Sequence, residues 1–213
     1  MLFRINNVLP SYFEVNRKEN SEVWGKDLSF TKGELVKIVA PSGSGKTSLI
    51  HFLYGMRKEY SGSITYNSKE LNAYTIEETA ALRAGPFSIV FQDLRLFLRQ
   101  TVLENLEVKR QLNPYHNADK ISEMAGRLGI DNKLRSVCGN CSYGEQQRIA
   151  IIRSLLQPFE FLLLDEPFSH LDNANAEKAM ALLLEEAKAR NACILFADLE
   201  RSDIYPYTRI LHL

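Results

Sequence analysis

Short apolar runs alternate along this chain with stretches in which apolar residues recur at helical spacing. The apolar runs are rich in Val, Ile, Leu and Phe, as buried parallel strands are, and occupy 33–40, 88–93, 159–167 and 191–198. Helical patterns follow the first run and occupy 175–190, and a turn-rich pair of strands is predicted over 61–71. Strands that alternate with helices predict a parallel α/β core.

The stretch from about 94 to 157 is helical in pattern throughout. It interrupts the strand pattern, which resumes at 159 and ends on a last strand-like segment at 209–213. We therefore predict one domain over 1–213, with a core of about 1–93 and 158–213 and an inserted helical subdomain of about 94–157.

Composition narrows the class of protein. Lys plus Arg equals Asp plus Glu, at 26 each, so no basic field favours a nucleic-acid partner. No apolar run approaches the ~18–20 residues that span a bilayer. The first residues lack the apolar segment of an export signal, and an odd number of cysteines, three, favours a reducing compartment, so we expect a cytoplasmic location.

The segment APSGSGKTS, residues 40–48, carries the sharpest chemical signal. A strand, a glycine-rich turn, Lys-Thr and a helix form the phosphate-binding loop of nucleotide hydrolases, in which backbone N–H groups point at phosphate oxygens. Lys46 is predicted to reach the β- and γ-phosphates and Thr47 to bind Mg²⁺. Ala40 replaces the first glycine of the motif. The predicted nucleotide-binding residues are Ala40, Pro41, Ser42, Gly43, Ser44, Gly45, Lys46, Thr47 and Ser48.

A phosphate loop of this kind requires a second strand that ends in acidic residues, and FLLLDEP supplies it. Asp165 is predicted to complete the Mg²⁺ shell, and Glu166 to polarise the water that attacks the γ-phosphate. The expected cofactors are ATP and Mg²⁺.

With these two elements in order, the segment CSYGEQQR at 141–148 resembles the signature segment of the ATP-binding cassette (ABC) family. Gln92 in VFQD matches the glutamine loop of that family, and Asp172 in SHLD its dimer loop. The resemblance covers nearly the whole chain. It implies an ABC-type P-loop NTPase fold with a RecA-like core, an N-terminal antiparallel β part and an inserted helical subdomain. It also implies that Gln92 binds Mg²⁺ and assists catalysis with Lys46 and Glu166.

In that family the signature segment faces ATP bound to a second subunit, so the resemblance implies a head-to-tail homodimer or heterodimer. Ser142 is a favoured residue at a helix start, and Ser142, Gly144 and Glu145 are the predicted contacts to nucleotide. A zinc site at Cys138 and Cys141 is disfavoured, because four ligands are needed and no second pair is near in sequence.

The region after the loop resembles the lipoprotein-release, macrolide-export and cell-division branch of the family. ATPases of that branch act on a separate transmembrane permease-type subunit, which would hold this chain at the inner face of the membrane. An apolar group follows Gln92 and either packs in the helical subdomain or docks such a partner: Leu94, Leu96, Phe97 and Leu98.

Three positions depart from the family pattern besides Ala40. Tyr143 replaces a glycine and Glu145 a glutamine in the signature segment, and Ala197 stands where a switch histidine is expected. Loss of one transition-state contact costs ~10²–10³ in rate, so hydrolysis is expected to be slow unless another residue, such as His170, compensates. The aromatic residue that stacks on adenine is left open among Tyr12, Phe13 and Trp24.

Two functions remain in competition at this point, with a third disfavoured. The first is an ATPase that drives a separate membrane partner. The alternative is a degenerate ATP-gated dimerisation module with little or no hydrolysis. An ABC protein that acts on nucleic acid or ribosomes is disfavoured, because the chain is short and neutral.

Overall fold

A computed structural model describes residues 2–14, 20–199 and 205–213, which form nine strands and six α-helices. The strands are β1 (Leu2–Pro10), β2 (Asp27–Thr31), β3 (Leu35–Val39), β4 (Tyr60–Tyr66), β5 (Lys69–Glu70), β6 (Phe87–Val90), β7 (Phe161–Asp165), β8 (Cys193–Asp198) and β9 (Arg209–His212). The helices are α1 (Lys46–Leu53), α2 (Ile76–Ala84), α3 (Val102–Leu112), α4 (Asp119–Arg127), α5 (Tyr143–Leu155) and α6 (Asn173–Arg190). The predicted core limits, 1–93 and 158–213, include positions outside the described residues.

The described strands form two sheets. The first is antiparallel, in the order β2-β1-β4-β5, and the second is parallel, in the order β6-β7-β8-β3-β9. Since the carboxyl ends of parallel strands meet at one edge, the segments that follow β3, β6, β7 and β8 converge there.

The core lies on both faces of the parallel sheet. On β7, Phe161 and Leu163 pack toward the antiparallel sheet, while Leu162 and Leu164 pack toward the helices α3 to α6. All four are fully buried. Each buried side chain of this size stabilises the fold by about 1.5–3 kcal/mol, so β7 is firmly fixed and with it the acidic residue at its end.

The apolar runs predicted as strands all contain strands. The region from 94 to 157 contains α3, α4 and α5, joined by loops and short 3₁₀ turns at Asp131–Lys133 and Cys138–Asn140. The helix predicted over 175–190 begins earlier, at Asn173, because the Asp172 carboxylate accepts a hydrogen bond from the backbone N–H of Asn175 and caps the helix.

Helix α2 was not predicted. None of its side chains is fully buried, and among them Leu82 packs in part against the core; the helix is stabilised at its start by a reciprocal pair of hydrogen bonds between Thr75 and Glu78. Among the described residues, no helix combines the length and the apolar character needed to cross a bilayer.

Candidate active site

The predicted phosphate loop connects the end of β3 to the start of α1. Gly43 and Gly45 adopt positive φ angles of 80° and 99°, which side chains rarely allow, so the two glycines shape the turn. Ala40, in place of the first glycine, is buried and has no positive φ, and its N–H donates to the Asp198 carbonyl. The alanine therefore fits this loop without strain.

Two aromatic residues, Phe13 and Trp24, pack against the phosphate loop. A Cβ atom at Gly45 would lie 3.0 Å from the rings of both Phe13 and Trp24, and the Trp24 indole N–H donates to the Ser44 carbonyl at 3.2 Å. Trp24 is fully buried, so its ring is not available to stack on a base. Tyr12 is 51% exposed, and its hydroxyl is hydrogen-bonded to that of Ser48.

The Lys46 ammonium lies inside the loop. It donates to the carbonyls of Ala40 at 2.8 Å and Pro41 at 3.1 Å, and it is 3.4 Å from a carboxylate oxygen of Glu166. The side chain is buried, which strengthens its attraction to any anion held by the loop.

Asp165 ends β7 at the same edge and is fully buried. Within the described part of the chain, neither of its carboxylate oxygens has a hydrogen-bond partner. Burial, together with the smaller effect of the Glu166 charge, raises the pKa of Asp165 from 3.8 to about 6, and the nearby Thr47 hydroxyl and the charge of Lys46 oppose this shift. A buried, unpartnered carboxylate is costly unless a cation or a proton neutralises it.

Thr47, Gln92 and Glu166 form a hydrogen-bonded chain beside Asp165. The Thr47 hydroxyl donates to the Gln92 side-chain oxygen at 3.3 Å, and the Gln92 amide donates to a Glu166 carboxylate oxygen at 3.3 Å. Hydroxyl, amide and carboxylate oxygens are the ligands that Mg²⁺ prefers. With the unpartnered oxygens of Asp165, this donor set fits a magnesium ion.

A cavity of 420 Å³ lies beside the proposed metal ligands. Thr47, Gln92 and Asp165 line it together with three residues that the sequence analysis did not place there: His51, Asp93 and Tyr143. His51 lies four residues after Thr47 on α1, so helical spacing was the available signal. Burial and the nearby Arg95 and Arg57 lower the pKa of His51.

Glu166 has a left-handed backbone, with φ of 48°, and its N–H donates to the Ala197 carbonyl at 2.9 Å. A residue other than glycine in this conformation is strained by about 1–3 kcal/mol and persists only where neighbours hold it. The carboxylate is thereby directed toward Lys46 and Gln92.

The signature segment begins α5 as predicted, with Ser142 as the capping residue. The Ser142 hydroxyl accepts from the Glu145 N–H, and the Glu145 carboxylate accepts from the Ser142 N–H at 2.7 Å and lies 3.3 Å from Lys133. The hydrogen bond from the Ser142 backbone is the main cause of the lowered pKa of Glu145. The negative charge of Glu145, which replaces a glutamine of the family pattern, is therefore paired with groups of its own chain.

Tyr143 is 45% exposed and reaches two other elements of the site. Its ring lies 4.2 Å from that of His170, and its hydroxyl donates to the Gln92 carbonyl at 3.4 Å. A Cβ atom at Gly144 would lie 3.0 Å from the His170 carbonyl, so the start of α5 packs closely on the loop before α6.

The position of the expected switch histidine offers no polar group. Ala197 is fully buried in β8 and belongs to the apolar core between the two sheets. His170 is exposed, and its ring contacts Tyr143. Cys138 and Cys141 are both buried in the apolar core on the helical face of the parallel sheet.

The apolar group after Gln92 divides in the structure. Leu94 is buried in the core and Leu96 is partly buried, whereas Phe97 and Leu98 are about half exposed, at 55% and 52%. A cavity of 200 Å³ lies beside Phe97, lined also by Phe91, Arg95 and Val108.

Comparison with known proteins decides the family. The family model described as "ABC transporter" matches residues 25–169. The chain belongs to the ABC transporter family. The prediction of an ATP-binding cassette protein is confirmed.

This ABC protein is 34% identical over 174 residues to the lipoprotein-releasing system ATP-binding protein LolD of Legionella pneumophila (strain Lens), covering 80% of this chain and 77% of LolD. It is 32% identical over 187 residues to the thiamine import ATP-binding protein ThiQ of Aliivibrio fischeri, covering 86% and 77%. It is also 32% identical over 197 residues to the macrolide export ATP-binding/permease protein MacB of Nitrosomonas europaea, covering 91% of this chain but spanning only 30% of MacB.

Solved structures confirm the predicted fold. A bacterial ABC transporter cassette solved as a dimer superposes with a TM-score of 0.74 at 25% identity, covering 92% of this chain and 88% of that one. An ATP-binding cassette in a dimeric post-hydrolysis state superposes with a TM-score of 0.79 at 24% identity, covering 92% and 87%.

Proposed function

We propose that this ABC protein binds ATP with Mg²⁺ at the edge of its parallel sheet and hydrolyses the ATP to drive a separate membrane permease. The observation that carries the proposal is the unpartnered, buried carboxylate of Asp165 beside the hydrogen-bonded chain of Thr47, Gln92 and Glu166. Few structural roles account for a buried carboxylate without a partner, whereas a nucleotide-bound cation accounts for it directly.

Each residue then has a chemical role. The phosphate loop, residues 40–48, surrounds the phosphates with backbone N–H groups, and Lys46 exchanges its contacts with loop carbonyls for phosphate oxygens. Thr47, Asp165 and Gln92 would hold Mg²⁺, which neutralises charge on the phosphates when bound. Glu166 orients and polarises the attacking water and accepts its proton.

The second half of the site comes from another subunit. Ser142, Gly144 and Glu145 lie at the start of α5, and this positive end of the helix would face nucleotide held by the other member of a homodimer or heterodimer. Both superposed structures, which are of one cassette, were solved as dimers, and this supports the arrangement. The contact exists only with ATP bound, so nucleotide controls dimerisation.

The membrane partner would bind at the exposed part of the apolar group, where Phe97 and Leu98 are about half exposed and Phe97 borders a cavity. LolD and ThiQ are named as ATP-binding proteins of a lipoprotein-releasing and a thiamine import system, which supports a transport role here. The chain would then act at the inner, cytoplasmic face of the membrane.

Hydrolysis is proposed to be slow. Ala197 is fully buried and its side chain offers no polar group to the γ-phosphate. The second candidate, an ATP-gated dimerisation module, is favoured by this position and by Tyr143 at the signature segment. An ATP-gated module of this kind would still bind ATP with Mg²⁺ and dimerise, but it would not hydrolyse the ATP at a useful rate.

Nucleotide binding tests both candidates. Trp24 is the only tryptophan of the chain and donates to the loop itself, so its fluorescence reports the loop. Addition of ATP is expected to change this fluorescence in the unaltered protein and not in Lys46→Ala. A Lys46→Ala variant that binds ATP with unchanged affinity would refute the loop assignment.

A further inference from the structure

A strained segment follows directly after Gln92. Leu94 and Arg95 both have left-handed backbones, with φ of 58° and 48°, although neither is a glycine. Two consecutive residues in this conformation revert to ordinary conformations unless surrounding groups hold them.

Arg153 supplies the strongest of the holding contacts. This residue is near the end of α5, and its guanidinium donates to the Leu94 carbonyl at 2.6 Å and to the Arg95 carbonyl at 2.7 Å. A planar guanidinium that binds two successive carbonyls fixes both peptide orientations, which a point charge such as an ammonium does not.

The strained segment lies next to the hydrogen-bonded chain of Thr47, Gln92 and Glu166. Gln92 precedes Leu94 by two residues, and its side chain bridges the Thr47 hydroxyl and the Glu166 carboxylate. Helix α5 also contacts the segment at its other end, where the Tyr143 hydroxyl donates to the Gln92 carbonyl. One helix therefore holds the segment from 92 to 95 at both of its ends.

We propose that Arg153 is a positioning residue for ATP hydrolysis, which holds the strained Leu94–Arg95 turn and thereby keeps Gln92 in reach of Thr47 and Glu166. The inference rests on the proposed function. It assigns no contact between Arg153 and nucleotide, so binding of the phosphates by the loop does not depend on it.

The test compares Arg153→Met with Arg153→Lys and a matched control, Arg83→Met. Arg83 is also half-buried and donates to two successive carbonyls, those of Tyr54 and Gly55, but at a turn that carries no site residue. For each variant, the measurements are kcat, the Mg²⁺ concentration at half-maximal turnover, and ATP affinity by equilibrium dialysis with and without Mg²⁺.

Arg153→Met loses both charge-assisted hydrogen bonds, and it is expected to lower kcat by about tenfold or more and to raise the Mg²⁺ requirement. Its ATP affinity without Mg²⁺ should stay within about twofold of the unaltered protein, since the loop is intact. Arg153→Lys should be intermediate, because one ammonium reaches one carbonyl well, and Arg83→Met should match the unaltered protein in every kinetic measure.

Equal kcat and Mg²⁺ requirement in Arg153→Met and the unaltered protein would overturn the inference, as would an equal loss in Arg83→Met. If Arg153→Met does not fold, Arg153→Lys decides by the same two measures. If the unaltered protein hydrolyses no ATP, the hydrolysis proposal fails, and Arg153 is then judged on whether Arg153→Met loses the Mg²⁺-dependent gain in ATP affinity.

Discussion

The side-chain amide of Gln92 donates to the carboxylate of Glu166 at 3.3 Å, which joins the end of β6 to the end of β7. The same glutamine accepts from Thr47 at the start of α1. Its oxygen therefore faces the proposed metal ligands and its amide faces the proposed base. A shift of Gln92 would disturb metal binding and water activation together.

The raised pKa of Asp165 predicts an unusual dependence of stability on pH. A folded-state pKa of about 6 against the usual 3.8 means that the folded protein disfavours the charged carboxylate. Without Mg²⁺, the contribution of this group is most favourable below about pH 4 and is lost as pH rises to about 6.

Asp165→Asn should therefore be more stable than the unaltered protein at pH 7 without Mg²⁺, by on the order of 3 kcal/mol, and by less at pH 5. Chemical denaturation at the two pH values measures the difference. Mg-ATP should stabilise the unaltered protein more than the variant. An Asp165→Asn protein that is less stable at pH 7 without metal would contradict this account of the carboxylate.

Ala197→His is expected not to restore fast hydrolysis. Ala197 is fully buried between the sheets, so an imidazole there overpacks the core at a cost of about 1–3 kcal/mol and does not reach the loop. Thermal unfolding and steady-state turnover check this, with Ala197→Ser as the control of similar volume. A tenfold gain in turnover without loss of stability would show that the end of β8 opens toward the nucleotide.

Tyr143→Gly should strengthen ATP-dependent dimerisation. The ring stands at the start of α5, packed on His170, where the proposed dimer places a second subunit's nucleotide. In a Glu166→Gln background, light scattering with Mg-ATP should show about tenfold tighter dimers, equal to about 1.4 kcal/mol.

Tyr143→Phe is the matched control for this variant. It keeps the ring and loses only the hydroxyl contact with Gln92, so it should dimerise like its parent. Weaker dimers in Tyr143→Gly would mean that the aromatic ring is itself part of the interface.

Much of the site was predictable because it follows from local patterns and from one rule of topology. The glycine-rich turn before Lys46 and the acidic end of β7 are local signals, and parallel strands bring their carboxyl ends to one edge. The role of Glu145 could also have been predicted, because Ser142 and Glu145 have the three-residue spacing of a reciprocal helix cap.

Other features depend on neighbours that are distant in sequence. The support of the loop by Trp24 and the hold of Arg153 on Leu94 are contacts between separate elements. No local pattern indicates which carbonyl a buried indole or guanidinium reaches. The exposed fractions of Phe97 and Leu98 likewise depend on how the helices pack.

The most direct test of the central claim is steady-state Mg-ATP turnover by the purified chain, with Glu166→Gln as the blank. The account predicts slow turnover clearly above that blank, at about 0.01–0.1 s⁻¹, which is a median enzyme rate reduced by one lost contact. A rate equal to the blank with ATP still bound would contradict hydrolysis by this chain alone and would favour the ATP-gated module.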